Sequence, residues 1–222
     1  MTRFLACATP EAAEWIEERV VSGIGAVANL VPSEFPAYVR FLHPFESNDH
    51  TDMSWSKLAG LSDLPFGRLM SSNDLIAASE EVIERDNIGN PIIGEIPPAG
   101  ASLIARVLAA HTETPSHCSI AIWEGRGGAG PAPGVGAQFE MGSRFWNLYS
   151  GPLDSVGSGI EDMSGHFPIF PGLWWPADHR WFVGTEIDSR CTYVGCETDA
   201  AADLLDSGLE FVMADYRDPA YP

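Results

Sequence analysis

Gly172-Leu-Trp-Trp-Pro-Ala-Asp-His-Arg-Trp-Phe-Val-Gly-Thr-Glu-Ile-Asp-Ser-Arg-Cys-Thr-Tyr-Val-Gly-Cys196 holds three of the seven tryptophans and two of the four cysteines. Read as a strand, Trp181 to Asp188 sorts by a period of two. Trp181, Val183, Thr185 and Ile187 fall on one face and form a core stripe. Phe182, Gly184, Glu186 and Asp188 fall on the other, where the glycine leaves room beside two carboxylates one pleat apart. Ser189-Arg190 is a two-residue turn candidate, and Cys191 to Cys196 returns as the partner strand. Such a hairpin brings Arg190 within reach of Asp188 or Glu186. The odd separation of Cys191 and Cys196 sends the two thiols to opposite faces.

Working outward, Ala137–Met141 and Phe145–Tyr149 read as strands joined by a turn at Gly142-Ser143, and Cys118–Trp123 as a core strand. Ala37–His43, closed by Pro44, reads as another. Helices are expected from Thr9-Pro10 to Val20, around Trp55–Ala59 behind Asp52 or Ser54, near Asp74–Glu84, over Ser102–His111, and over Asp199–Leu205 behind Thr198. Leu209–Met213 is expected to pack back on the body. Sequential short strands toward the C-terminal half imply antiparallel pairing. The fold class is therefore α+β: a single, mostly antiparallel sheet with helices packed on one face. Residues 1–222 form one domain, with flexible loops at 125–136 and 150–171.

The charge is unusual: 31 acidic residues against 12 basic ones, a formal net charge of −19, and Lys57 as the only lysine. Such a surface repels phosphate backbones and anionic bilayers, so neither nucleic acid nor membrane is an expected partner. A basic protein suits it, and so does plain solubility. No secretory signal and no apolar run of spanning length is legible. Four scattered cysteines then fit free thiols in a reducing cytoplasm.

Three constellations bear chemistry. Glu186 and Asp188, with His179 beside Asp178 and Arg180, supply carboxylates and an imidazole for a hydrolase, set in a pocket under the 150–171 loop; paired carboxylates also bind hard cations or simply form a solvated strand face. Trp174 and Trp175 offer an aromatic platform, with Arg190 nearby, or else close the core. His111, His117, Cys118, Cys191 and Cys196 are soft ligands at spacings that do not match zinc fingers or ribbons, so no metal is expected. His111 itself lies in the apolar stripe of its helix and reads as a satisfied buried histidine. Asp49-His50-Thr51-Asp52 is a small polar cluster. Gly125-Arg-Gly-Gly-Ala-Gly130 matches G-x-G-x-x-G, but Pro131 follows where a phosphate-binding helix must begin, so no dinucleotide cofactor is expected.

Tyr38-Val-Arg-Phe-Leu-His-Pro44, His111-Thr-Glu-Thr-Pro115 with Cys118 and Trp123-Glu-Gly125, Ser150-Gly-Pro-Leu153, Leu173-Trp-Trp-Pro176, Thr185-Glu-Ile-Asp188 and Thr192-Tyr-Val-Gly195 resemble a family of uncharacterised actinobacterial proteins. Cys196 stands where that family's turn has a second glycine, and the resemblance implies no catalytic residue. Val31-Pro-Ser-Glu-Phe35 is similar to the entry segment of SUKH-type proteins, many of which are immunity proteins that neutralise toxins; the Asn-Gly that follows it there is absent here. With no nucleophile motif in view, the expected function is a non-catalytic, cytoplasmic, protein-binding module. A hydrolase using Glu186, Asp188 and His179 is the first alternative and a metal-binding protein the second.

Overall fold

The computed structural model describes residues 4–7, 9–47, 51–126, 136–161 and 168–221. The strands, in chain order, are β1 (Leu5–Ala6), β2 (Ala37–Leu42), β3 (Phe45–Glu46), β4 (Asp52–Met53), β5 (Cys118–Trp123), β6 (Gln138–Met141), β7 (Arg144–Gly151), β8 (Ile160–Glu161), β9 (Pro168–Ile169), β10 (Leu173–Pro176), β11 (Phe182–Thr185), β12 (Cys191–Cys196) and β13 (Phe211–Ala214). The helices are α1 (Glu14–Glu17), α2 (Trp55–Leu61), α3 (Ser72–Ala78), α4 (Glu80–Asp86), α5 (Pro98–Leu108) and α6 (Thr198–Leu205). The main sheet runs β1-β7-β5-β10-β11-β12-β2-β13, with β6 also paired to β7, and every pairing is antiparallel. The α+β architecture built on one antiparallel sheet is thus present.

The stretch at 172–196 supplies its centre. Trp174 sits opposite Ile120 on one side and Val183 on the other, and Gly184 opposite Tyr193. Every residue of β10, β11, β12 and β2 is buried, which is why these segments read as continuous apolar runs. One face carries Val39, Phe41, Ile120, Trp174, Trp181, Val183 and Val194 against Ile104 and Leu108 of α5 and Ala201 and Leu204 of α6. The other carries Tyr38, Leu42, Trp175, Phe182 and Tyr193 against Ile16 of α1, Val27 and Leu30, and Trp55 and Leu58 of α2. The two longest helices do share a face, but short helices and loops cover the second. The face of Phe182 and Gly184 is therefore packed, not solvated. A Cβ on Gly184 would stand 3.0 Å from Leu30 Cγ, and one on Gly195 would collide with Phe35, so these glycines let segment 27–35 lie on the sheet.

Local expectations shift at the ends. The N-terminal helix is a single 3-10 turn, Glu11–Ala13, followed by α1. Ser54, not Asp52, caps α2 by accepting from the Lys57 N–H at 3.1 Å. The 74–84 helix is two, α3 and α4. Helix α5 starts earlier than expected because Pro98 takes its first position. Glu197, not Thr198, occupies the N-cap of α6. Leu209–Met213 packs back as the edge strand β13. The 150–171 segment is not a bare loop: Leu153–Ser158 forms a 3-10 helix and β8 pairs with β9. Most of the 125–136 loop, residues 162–167, and Asp49 and His50 lie outside the described residues.

Candidate functional site

The two carboxylates after β11 meet one arginine from the β6–β7 hairpin. Gly142 and Ser143 both have φ 61°, the left-handed pair of a tight hairpin, and this turn delivers Arg144 at the start of β7. Arg144 Nη1 donates to Glu186 Oε1, and Arg144 Nη2 lies 3.7 Å from Asp188 Oδ2. Glu186 Oε2 accepts the Asp188 backbone N–H at 2.6 Å. Both oxygens of the buried Glu186 are thus committed, while the Asp188 side chain is 75% exposed. Burial and the neighbouring Asp188 raise the Tyr221 phenol to about 12, against the opposing pull of Arg144. Arg190 does not neutralise either carboxylate. Its Nη1 donates to Asn73 Oδ1 at 3.0 Å.

His179 is elsewhere. It closes a turn by donating its N–H to the Pro176 carbonyl at 3.0 Å, with φ 56°. Its ring stacks on Trp15, with centroids 4.2 Å apart and planes at 14°. Arg19 lies 5.9 Å from the same indole centroid and pairs with Glu34 at 3.2 Å. Burial first, then the Arg19 charge, lowers the His179 pKa. Asp178 does not orient the imidazole: its carboxylate accepts from Thr112 Oγ1 at 2.8 Å and from the Glu113 N–H at 2.7 Å. His179 lines a cleft with Trp15, Glu34 and Glu197, whereas Glu186 lines another with Arg144 and Tyr221. The three side chains expected to cooperate do not converge on one cleft.

Trp174 and Trp175 are both fully buried, one on each face of the sheet. Trp174 packs edge-on to Trp181 at 5.6 Å, and Trp175 stacks on Phe182 at 5.5 Å while donating to the Ala12 carbonyl at 3.1 Å. They are core, not an exposed platform, because the second sheet face is covered. Cys191 and Cys196 do face opposite cores, and all four cysteines are free. Burial raises every thiol, Cys118 and Cys196 to about 12. Among the described residues no group of three or more His, Cys, Asp and Glu is placed to hold a metal ion. His111 is not a buried stripe residue. It stands past α5 and bridges Asp203 of α6 at 2.8 Å and Asp199 at 3.7 Å.

Two features escaped the sequence. The first is a buried polar chain: His43 Nδ1 meets the Ile92 carbonyl at 2.9 Å, His43 Nε2 meets Thr192 Oγ1 at 2.9 Å, and Thr192 meets Thr185 at 2.7 Å. A carbonyl only accepts, so Nδ1 carries the proton, Nε2 accepts from Thr192, and Thr192 accepts from Thr185. Its only sequence signal is polar residues in strands that are otherwise apolar. The second is the cleft at Trp15, of about 240 Å³. Five non-glycine residues among the described residues have left-handed backbone, and two of them, Glu34 (φ 78°) and His179 (φ 56°), line it. Each such residue costs roughly 1–2 kcal/mol, and strain of this kind collects where function holds it. Arg180 and Glu197 complete the rim, and neither makes a side-chain ion pair among the described residues.

Comparison with protein-family models, with curated proteins and with solved structures returned no match. Among the described residues no helix is long and apolar enough to cross a membrane.

Proposed function

We propose that the protein is a non-catalytic, cytoplasmic binding module that recognises a basic protein, in the manner of an immunity protein. The observation that carries the reading is the Trp15–His179 cleft: two strained residues, an aromatic stack and unpaired charges at one opening. Around it, Glu11, Glu14, Glu17 and Glu18 project from the segment that bears Trp15, all exposed. A net charge of −19 steers a basic partner toward this surface, and an aromatic centre with a charged rim is the anatomy of an interface hot spot. The Glu186–Arg144 pair and the raised thiols fit scaffold roles in the same reading.

The test uses the full chain immobilised at low and at physiological salt, with captured proteins identified and the partner then purified. Its affinity is compared between the wild type and Glu34→Lys/Glu197→Lys. The expected result is one basic partner, bound at least about tenfold more weakly by the double variant and with a shallower salt dependence. Retention of no protein at low salt, or equal affinity for both chains, refutes the proposal.

A further inference from the structure

A second opening lies at the Trp123–Gly172 end of β5 and β10, whereas Trp15 packs against Trp175 and His179 at the other end. Its walls are Ile122, Trp123, Trp146, Phe170 and Ile187, and its volume is about 110 Å³. Ile93 and Gly94 form one lip. Gly94 is pinned there: its N–H donates to the Ser189 carbonyl at 2.8 Å, its φ is 72°, and a Cβ would collide with the Ile187 carbonyl. On the other lip stands Arg126. Glu95 Oε2 accepts from Arg126 Nη2 at 2.6 Å, and Glu95 Oε1 accepts the Phe170 N–H at 2.8 Å. Both oxygens of Glu95 therefore serve to fix the guanidinium against a backbone anchor. A guanidinium has five N–H donors. Glu95 takes one of them, and no other side-chain bond of Arg126 is made among the described residues.

We infer that this opening is a binding site for a small organic carboxylate with an apolar body of about one ring. The aromatic and aliphatic walls match such a body, and a pre-oriented arginine matches its charge. Size follows from comparison: an apolar cavity of about 150 Å³ encloses benzene, so this open cleft of about 110 Å³ takes a six-membered ring in part, or a short branched chain whole, with the carboxylate at the mouth. The anchoring of Arg126 by Glu95 is what a site needs to select a planar anion on a surface that otherwise repels anions. None of these residues belongs to the Trp15 cleft, so the inference stands apart from the protein-binding reading.

Benzoate is the probe and benzyl alcohol its uncharged counterpart, each titrated into the full chain and followed by tryptophan fluorescence and calorimetry. Benzoate is expected to bind with a Kd of about 1 mM or lower. Arg126→Met keeps the aliphatic stem and removes the charge; it is expected to weaken benzoate at least about tenfold and to leave benzyl alcohol within about twofold. Ile187→Trp, which fills the cavity, is expected to abolish both. Wild-type protein that fails to bind benzoate at millimolar concentration overturns the inference, as does equal benzoate affinity in Arg126→Met. Raising the salt separates this site from the other, since screening weakens a basic protein's attraction to the net charge of −19, whereas for a small anion it also relieves the repulsion from that charge.

Discussion

Replacing His43 with glutamine should remove an acid-sensitive part of the stability. His43 is completely buried, sandwiched between the Ile92 carbonyl and Thr192, and its own carbonyl accepts the Trp55 indole N–H at 2.7 Å. The charged residue acting on it is Arg40, which is itself buried, donates to Cys191 Sγ at 3.1 Å and lies over Trp55. Burial first, and Arg40 with it, lowers the His43 pKa to about 4, outweighing the Ile92 hydrogen bond. In the unfolded chain the value is near 6.5. Between about pH 6.5 and 4 the unfolded state therefore holds a proton that the folded state refuses. Stability rises with pH through that window and is fully present above it, a difference of about 3 kcal/mol. Protonation also reverses the hydrogen-bond chain, since Nε2 would then donate to Thr192. The assay is urea unfolding at several pH values from 7 down to 4, followed by tryptophan fluorescence. Both chains carry the same carboxylates, so the difference in slope isolates the imidazole. The glutamine variant should be less stable at pH 7 yet lose about 3 kcal/mol less on acidification. Equal pH slopes for the two chains would refute the reasoning.

Two further substitutions test the frame. Glu186→Leu leaves Arg144 without its partner in a mostly buried site and should cost about 3 kcal/mol, whereas Glu186→Leu together with Arg144→Leu should cost less than that single change; with Arg144→Leu alone, the three close a thermodynamic cycle whose coupling is read by denaturant unfolding. Gly94→Ala places a Cβ against the Ile187 carbonyl at a left-handed φ of 72°, and should cost at least about 2 kcal/mol in the same assay; an unchanged midpoint would mean that segment 89–96 does not hold to the sheet as described.

Strand parity was the most legible property of the chain. It placed Trp181 and Val183 together, separated Cys191 from Cys196, and set Phe182 opposite them, because a period of two is local geometry. Parity says nothing about what covers each face. The carboxylate face reads as solvated only until segment 27–35, some 150 residues away in sequence, is seen to lie over Gly184 and Gly195. Arg190 looked like the partner of Glu186 because it is four residues away, and Arg144 won because a hairpin turn at Gly142-Ser143 delivers it from another strand. Likewise the left-handed backbone of Glu34 and of His179, which closes a turn on Pro176, is not legible in the sequence: glutamate has no preference for it, and histidine's enrichment there is too weak to single out one position.

The distribution of polar groups gives the molecule two different kinds of buried chemistry. Near β12 and the end of β2, His43, Thr185 and Thr192 satisfy one another on one sheet face, while Arg40 rests on Cys191, the carbonyls of Arg68 and Met70, and an indole on the other. An arginine buried without a carboxylate is tolerated only where carbonyl dipoles and an aromatic face replace its water. These groups are buried, and each lost contact would leave an uncompensated polar atom, so they favour the observed register of β2 against β12. Arg126, Arg180, Glu34 and Glu197 differ in being partly or fully exposed at cleft mouths. Charge held in place at an opening costs little desolvation and remains available to a second molecule. That contrast is the physical reason to look for recognition at the two clefts, and to read the Glu186–Arg144 pair as part of the frame.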